Sequence, residues 1–453
     1  MSLERIENNK HLYKKLLTIA VPIALQGLIG SSLNFVDNLM VGSLGETELA
    51  AVGVSVQIFF IFWMLLFGFT SGCSTFFAQY WGAQDVDSIK KTTGFTITSC
   101  MAIGILFFIA SAFFPEYVLR IFTDINEVID IGKDYVRVGS GCFLFLAVTV
   151  PFSTALRATH QTHIPLYISV SSFTINTVLN YLLIFGHFGA PKLGVVGAAL
   201  ATVFSRGFEC VTILIIVFVK KNVIAGTIKD YFGWNMVLVI KVLKNAIPTT
   251  INEGVWGMGT ACYAAIYART GVTQFAAVQA SSTINQMFCL AAFSVGDAIL
   301  ILVGQKLGEG KLDEAYILAK KLLKIGIFVG FVAGLLLILI SPPLIGLFGF
   351  TPAGARTAKL ILLVFGITMA LNVFDSMCIT GVLRCGGDTK FAMICEGCTV
   401  WLIGVPIAAI MALVFELPIY IVVLFVKSEE LVKGIILFKR FVSKKWVNNV
   451  VSD

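Results

Sequence analysis

Shifted by 226 positions, the chain aligns with itself: Ala20-Val21-Pro22 falls on Ala246-Ile247-Pro248, Gly45 on Gly271, Ala50-Ala51-Val52 on Ala276-Ala277-Val278, and Gln79, Gly82 and Asp87 on Gln305, Gly308 and Asp313. One half is a diverged copy of the other. Each half is built of apolar runs long enough to cross a bilayer, and a duplicated membrane bundle tends to place its site at the seam between copies. The pattern points to transport.

Composition excludes a soluble globule. With 57% hydrophobic residues, 13% charged residues and a mean hydropathy of +0.90, 453 residues carry too little polar surface to cover themselves in water. A crossing helix needs about 20 apolar residues. Twelve runs qualify: 16–41, 49–79, 93–114, 136–156, 164–185, 195–219, 238–266, 273–304, 322–347, 359–383, 392–415 and 417–438. Six per half is an even number, so both halves insert in the same sense and are related by a pseudo-two-fold axis along the membrane normal. The expected fold is therefore an all-α integral membrane protein of 12 transmembrane helices in two six-helix lobes with a cleft between them. The lobes are expected at 1–219 and 238–453, the second ending in a short cytoplasmic tail, with a cytoplasmic linker at 220–237.

Charge orients the bundle, because Lys and Arg stay on the cytoplasmic side. With the N-terminus inside, the inner loops and tails hold about 23 basic residues, among them Lys10, Lys14, Lys15, Lys90, Lys91, Lys220, Lys221, Lys320, Lys321, Lys439 and Arg440. The outer side holds about seven, including Arg120, Lys133, Lys192, Arg269 and Arg356. Both termini are expected in the cytoplasm, and the net charge of +7 needs a lipid surface, not a nucleic acid, as its partner. The Lys-preceded first apolar run is too long for a removable signal and its start recurs in the second half, so it reads as helix one. The outer stretch 115–135 is long enough for a short surface helix.

Enzymatic motifs are missing. The sequence Gly304-Gln-Lys-Leu-Gly308-Glu-Gly310-Lys311-Leu312 has a spacing one too long for a phosphate loop and Leu312 where a hydroxyl is required, so ATP is not the expected fuel. Hydrolase and zinc signatures are absent, and the four histidines, His11, His160, His163 and His187, sit at membrane ends. The ten cysteines fall within or at the ends of spans and read as small apolar fillers, the Cys395-Glu396-Gly397-Cys398 pair included. No cofactor is expected.

The informative residues are ionisable groups at membrane depth, each costing a few kcal/mol or more unless paired or wet. Arg206 and Glu209 lie three apart on one helix face, as do Lys427, Glu430 and Lys433, so ion pairing within each set is the expected state. Asp37, Glu253 and Asp375 have no opposite charge within a turn. They must find partners across the bundle, take up protons or bind cations.

Helix rise adds a geometric expectation. Asp37 lies about four residues from the outer end of its span, Asn180 about five and Thr202 about seven, with Asn176 one turn deeper on the face of Asn180. All four can meet, giving one carboxylate with amide and hydroxyl oxygens, a set that accepts a hard monovalent cation such as Na+ or a proton on Asp37. Glu253 near mid-membrane and Asp375 about eight residues from the inner end can share a cavity and attract a cationic substrate or a second ion. Met258, Met287, Met369, Met377, Trp256, Phe288 and Phe374 nearby offer adaptable and π-bearing surface, though ordinary helix packing also accounts for such residues.

Over nearly its whole length the chain resembles the multidrug and toxic compound extrusion (MATE) antiporters. The resemblance rests on the two six-span halves and on Val36-Asp37-Asn38-Leu-Met-Val-Gly42, Asn176-Thr-Val-Leu-Asn180-Tyr-Leu-Leu-Ile-Phe-Gly186, Gly194-Val-Val-Gly197-Ala-Ala-Leu-Ala-Thr202 and Leu383-Arg384-Cys-Gly386-Gly387-Asp388-Thr389. Acids on spans one, seven and ten resemble the NorM-like branch. The resemblance implies a V-shaped cleft and export of cationic or amphiphilic organic compounds against inward flow of Na+ or H+ by a monomer in the bacterial inner membrane. It places the coupling ion at Asp37, Asn176, Asn180 and Thr202, and substrate or a second ion at Glu253 and Asp375. Leu371, one turn before Asp375, stands where some relatives have a tyrosine, which moves the expected coupling ion toward the first half. A flippase for lipid-linked oligosaccharides or peptidoglycan precursors is the alternative within the same superfamily; it would need a cationic cleft, and the candidates here are acidic. A membrane enzyme is the more distant alternative, and the His-poor core offers it no nucleophile–base pair.

Overall fold

A computed structural model describes residues 3–346 and 348–452, with side chains from Leu12 onward, so the expectations placed on Lys10 and His11 lie outside the described side chains. The helices are α1 (Leu3–Gly42), α2 (Glu46–Gly82), α3 (Val86–Phe113), α4 (Pro115–Arg120), α5 (Asn126–Gly139), α6 (Gly141–Ala158), α7 (His163–Phe185), α8 (Val195–Val219), α9 (Ile228–Phe232), α10 (Met236–Ala268), α11 (Val272–Gly308), α12 (Leu312–Gly346), α13 (Pro352–Ser376), α14 (Thr389–Thr399), α15 (Val405–Ala409), α16 (Ile419–Val426) and α17 (Ser428–Val442). No strand occurs among the described residues. In hydrocarbon only internally satisfied backbone is tolerated, which is why runs this apolar resolve into helices.

Among the described residues, ten helical segments are long and apolar enough to cross a membrane. The other two of the twelve expected spans are helical as well and fall short of that measure for visible reasons. Helix α10 is continuous over 33 residues, but Asn245, Thr249, Thr250, Asn252 and Glu253 interrupt its apolar character. The last run is divided at Lys427, with α17 opening on Ser428, Glu429 and Glu430, whose negative charge suits a helix N-terminus. The outer connection holds two helices, α4 and α5, the second carrying exposed ion pairs Lys133–Asp130 (2.7 Å) and Arg137–Asp134 (3.7 Å).

Contacts divide the chain into two compact units, one of residues 25–73 and 85–242, the other of residues 1–24, 74–84 and 243–453. In the first, α3 packs on α6, and α8 on α5, α6 and α7, around Phe59, Phe62, Phe107 and Phe143. The basic stretch after α8 is tied down in the same unit: the Tyr231 hydroxyl donates to the Ile224 carbonyl at 2.7 Å, and Thr227 and Asp230 cap α9 reciprocally.

In the second unit α11, α12 and α13 pack on one another. Gly326, Gly330 and Gly334 recur every fourth residue along one face of α12, and an added Cβ there would strike Met377, Val373 and the Gly366 carbonyl at 2.1, 3.0 and 2.2 Å. Small residues at this period are how membrane helices bring their backbones together without a hydrophobic driving force. Helix α13 passes at Met377, two residues after Asp375, into a π-helical stretch ending at Leu383. Wide turns of this kind concentrate at functional positions.

Candidate functional site

Within the unit of residues 25–73 and 85–242, the four residues singled out from helix rise are joined in one chain of hydrogen bonds. The Asn180 amide on α7 donates to Asp37 Oδ1 on α1 and to Asn176 Oδ1 at 3.0 Å. The Asn176 amide in turn donates to Thr202 Oγ1 on α8 at 3.4 Å, and that hydroxyl donates to the Ala198 carbonyl at 3.0 Å. Asn176 and Asn180 are fully buried, whereas Asp37 and Thr202 are half-buried. One oxygen has no donor: Asn180 Oδ1 is enclosed and unpartnered. An orphaned carbonyl oxygen beside a carboxylate costs free energy until a cation or donor reaches it, so the donor set fits a Na+ or a proton entering here. Arg206 and Glu209, one and two turns further along α8, pair at 2.8 Å, as their spacing predicts.

The acids of the other unit share a single charge network that sequence spacing did not reveal. Glu253 on α10 is not open: its Oε1 lies 2.5 Å from a guanidinium nitrogen of Arg384, which is 1% exposed. Lys433 on α17 bonds Glu429 at 2.8 Å and approaches Glu396 of α14 at 3.7 Å, while Lys427 takes Glu430 at 2.5 Å. The three-residue ladder Lys427–Glu430–Lys433 is thus corrected in its second rung, because Lys433 turns to the i−4 acid and to a neighbouring helix. Neutral donors complete the set. The Tyr263 hydroxyl donates to Glu429 at 2.6 Å, the Asn252 amide to Glu396 at 2.7 Å and the Asn372 amide to Glu430 at 2.8 Å.

Asp375 differs from all of these. It is 4% exposed, and neither carboxyl oxygen has a hydrogen-bond partner. Its Oδ1 lies against α17, 3.0 Å from where a Cβ on Gly434 would stand. Of the Met and aromatic residues near these acids, Met369 and Met377 are core packing, whereas Trp256, Met258 and Met287 are exposed. Met287 and Phe288 also line a wholly apolar groove of about 480 Å³ between α11 and α12. All ten cysteines are free thiols, nine of them buried or half-buried.

Arg384, Glu396 and Glu429 are the residues sequence reasoning left without a partner, and Lys433 pairs with Glu429 and Glu396 in place of the expected Glu430. Glu253 and Arg384 are 131 positions apart, so no local spacing announces the pair. The available signal was the charge inventory itself, since every buried acid needs a partner.

Comparison with known proteins bears on what such a molecule does. The MatE family profile matches residues 22–182 and 253–410. Among curated relatives, "Probable multidrug resistance protein NorM" of Thermotoga maritima is 24% identical, over 98% of this chain and 95% of its own length. "Multidrug resistance protein NorM" of Burkholderia vietnamiensis is 25% identical, over 86% of this chain and 84% of its own. Among solved structures, a crystal structure of MATE in complex with MaL6 superposes with a TM-score of 0.86 at 19% identity, covering 96% of this chain and 97% of that one. A MOP superfamily transporter from Pyrococcus furiosus gives the same TM-score of 0.86, identity of 19% and coverage of 96% and 97%.

Proposed function

The chain belongs to the MatE family of multidrug efflux transporters, and from that premise we propose that it exports cationic and amphiphilic organic compounds in exchange for Na+ or H+ by alternating access. It works as a monomer in the bacterial inner membrane with both termini in the cytoplasm. The observation that carries this reading is the chain Asp37–Asn180–Asn176–Thr202 with its one donorless oxygen on Asn180.

Coupling follows from what occupies Asp37. While Asp37 is ionised, its bond from the Asn180 amide is charge-assisted and ties α1 to α7. A cation arriving from outside neutralises the carboxylate, draws on the amide and hydroxyl oxygens of Asn176, Asn180 and Thr202, and weakens that tie. The balance between two conformations then shifts by the difference in ion affinity between them. Exchange also requires that ion and drug do not leave or stay together, so occupancy of Asp37 must lower drug retention. Asp375, which has no donor, and Glu253, which is paired with Arg384, are the acids of the other unit that hold the organic cation or a second ion.

The test is ethidium efflux from proteoliposomes under separately imposed Na+ and pH gradients. Efflux driven by at least one gradient supports exchange and identifies the ion. Efflux that ignores both gradients contradicts it.

A further inference from the structure

In the unit of residues 1–24, 74–84 and 243–453, five carboxyls, Glu253, Asp375, Glu396, Glu429 and Glu430, face three cations, Arg384, Lys427 and Lys433. The carboxyls outnumber the cations by two at a place where each uncompensated charge is costly. The excess is not spread evenly. Glu429, Glu430 and Glu396 each accept from a neutral donor and lie beside an ammonium, and Glu253 lies on a guanidinium. Asp375 has nothing within hydrogen-bond reach, and two more oxygens in the network, Asn252 Oδ1 and Glu430 Oε2, are likewise buried without a donor.

Among the cations, Lys433 alone bridges two acids of different helices, one tightly at 2.8 Å on Glu429 and one loosely at 3.7 Å on Glu396. Its neighbour Gly434 leaves α17 bare where the Asp375 carboxyl rests. A four-carbon stem with three donors can change partners at little cost, unlike a planar guanidinium.

We propose that the Lys433 ammonium is a tethered cation that competes with a small mobile cation for Asp375, moving between Glu429 and Asp375 as the mobile cation binds and leaves. With Lys433 on Glu429, as in this structure, Asp375 is ready for a cation from solution. When Glu429 releases Lys433, the ammonium swings to Asp375 and expels that cation. Tyr263, by donating to Glu429, sets how firmly Lys433 is held back. The groups that face Asp375 are Lys433, Glu429 and Glu430 from α17 and Glu396 from α14. This inference rests on reading Asp375 as a cation site, and it assigns Lys433 and Glu429 to the control of that site.

The experiment is equilibrium binding of radioactive Na+ to the purified full chain. It is made in an Asp37→Asn background, which removes the contribution of the other site. Adding Lys433→Met is expected to lower the half-saturating Na+ concentration by about tenfold, the consequence of deleting one nearby positive charge. Adding Glu429→Gln, which frees Lys433, is expected to raise it several-fold. Adding Asp375→Asn to the Lys433→Met protein is expected to abolish the gain. The two single changes move binding in opposite directions, which loss of structure does not do. Unchanged or weaker Na+ binding in a Lys433→Met protein with the parent melting temperature overturns the proposal. If that variant does not fold, Glu429→Gln decides alone: a rise supports the proposal, and no change or a fall overturns it. Failure of gradient-driven ethidium efflux with these Na+ shifts intact contradicts the exporter reading and leaves the competition at Asp375 standing.

Discussion

Glu253, Asp37 and Asp375 looked alike in the sequence, as acids without a local counter-charge, and the structure gives each a different environment. Glu253 is matched by Arg384, so removing the guanidinium alone strands a charge. Arg384→Met should therefore destabilise the protein by about 3–5 kcal/mol, and the double change with Glu253→Gln should recover much of that loss. Thermal unfolding of the detergent-purified variants measures both; equal loss in single and double variants would show that Arg384 acts through packing. Asp37 is held by an amide and Asp375 by no donor at all. These differences were illegible because partners far along the chain decide them. The Asp37 set was legible because its four members lie on three helices whose ends the apolar runs mark, and a fixed rise per residue converts those ends into depth.

Among the helices, the duplicated pattern meets itself. Gln79 and Gly82 close α2, and their repeat counterparts Gln305 and Gly308 close α11. A Cβ on Gly82 would stand 2.0 Å from the Gln305 carbonyl oxygen, and one on Gly308 would stand 1.9 Å from that of Gln79. The repeat-related glycines thus exist because each helix end rests on the other's backbone. The Gln79 side chain adds bonds to the Cys385 carbonyl at 2.8 Å and from the Val450 amide at 2.8 Å. Gly82→Ala and Gly308→Ala should each cost about 1–3 kcal/mol by overpacking. Gly30→Ala, where nothing lies within 4 Å of the added carbon, should cost far less, and melting temperatures of the three variants make the comparison. The repeat was plain in the sequence, but the contact between its copies was not, because periodicity marks which residues recur and says nothing of which recurrences touch. Likewise hydropathy found the spans yet ran through Lys427, where the chain starts a new helix so that Glu429 and Glu430 can sit at its N-terminus.

For the molecule as a whole, the excess of Lys and Arg in alternate loops predicts that both termini face the cytoplasm. A green fluorescent protein fused after Asp453 should fluoresce and an alkaline phosphatase fused there should be inactive; the reverse pair of results would invert the topology. In the proposed exchange, that orientation would have ions enter from the side on which Asp37 lies a few residues below the surface. Everything then depends on whether ion entry at Asp37 drives export. The decisive measurement is ethidium efflux from proteoliposomes carrying the wild type or Asp37→Asn, matched for protein content and melting temperature, under the gradient that drives the wild type. Asp37→Asn should lose at least about tenfold of the gradient-driven rate, as expected when a charge essential to the exchange step is removed. Full gradient-driven efflux in Asp37→Asn would contradict the assignment of the coupling ion to this carboxylate.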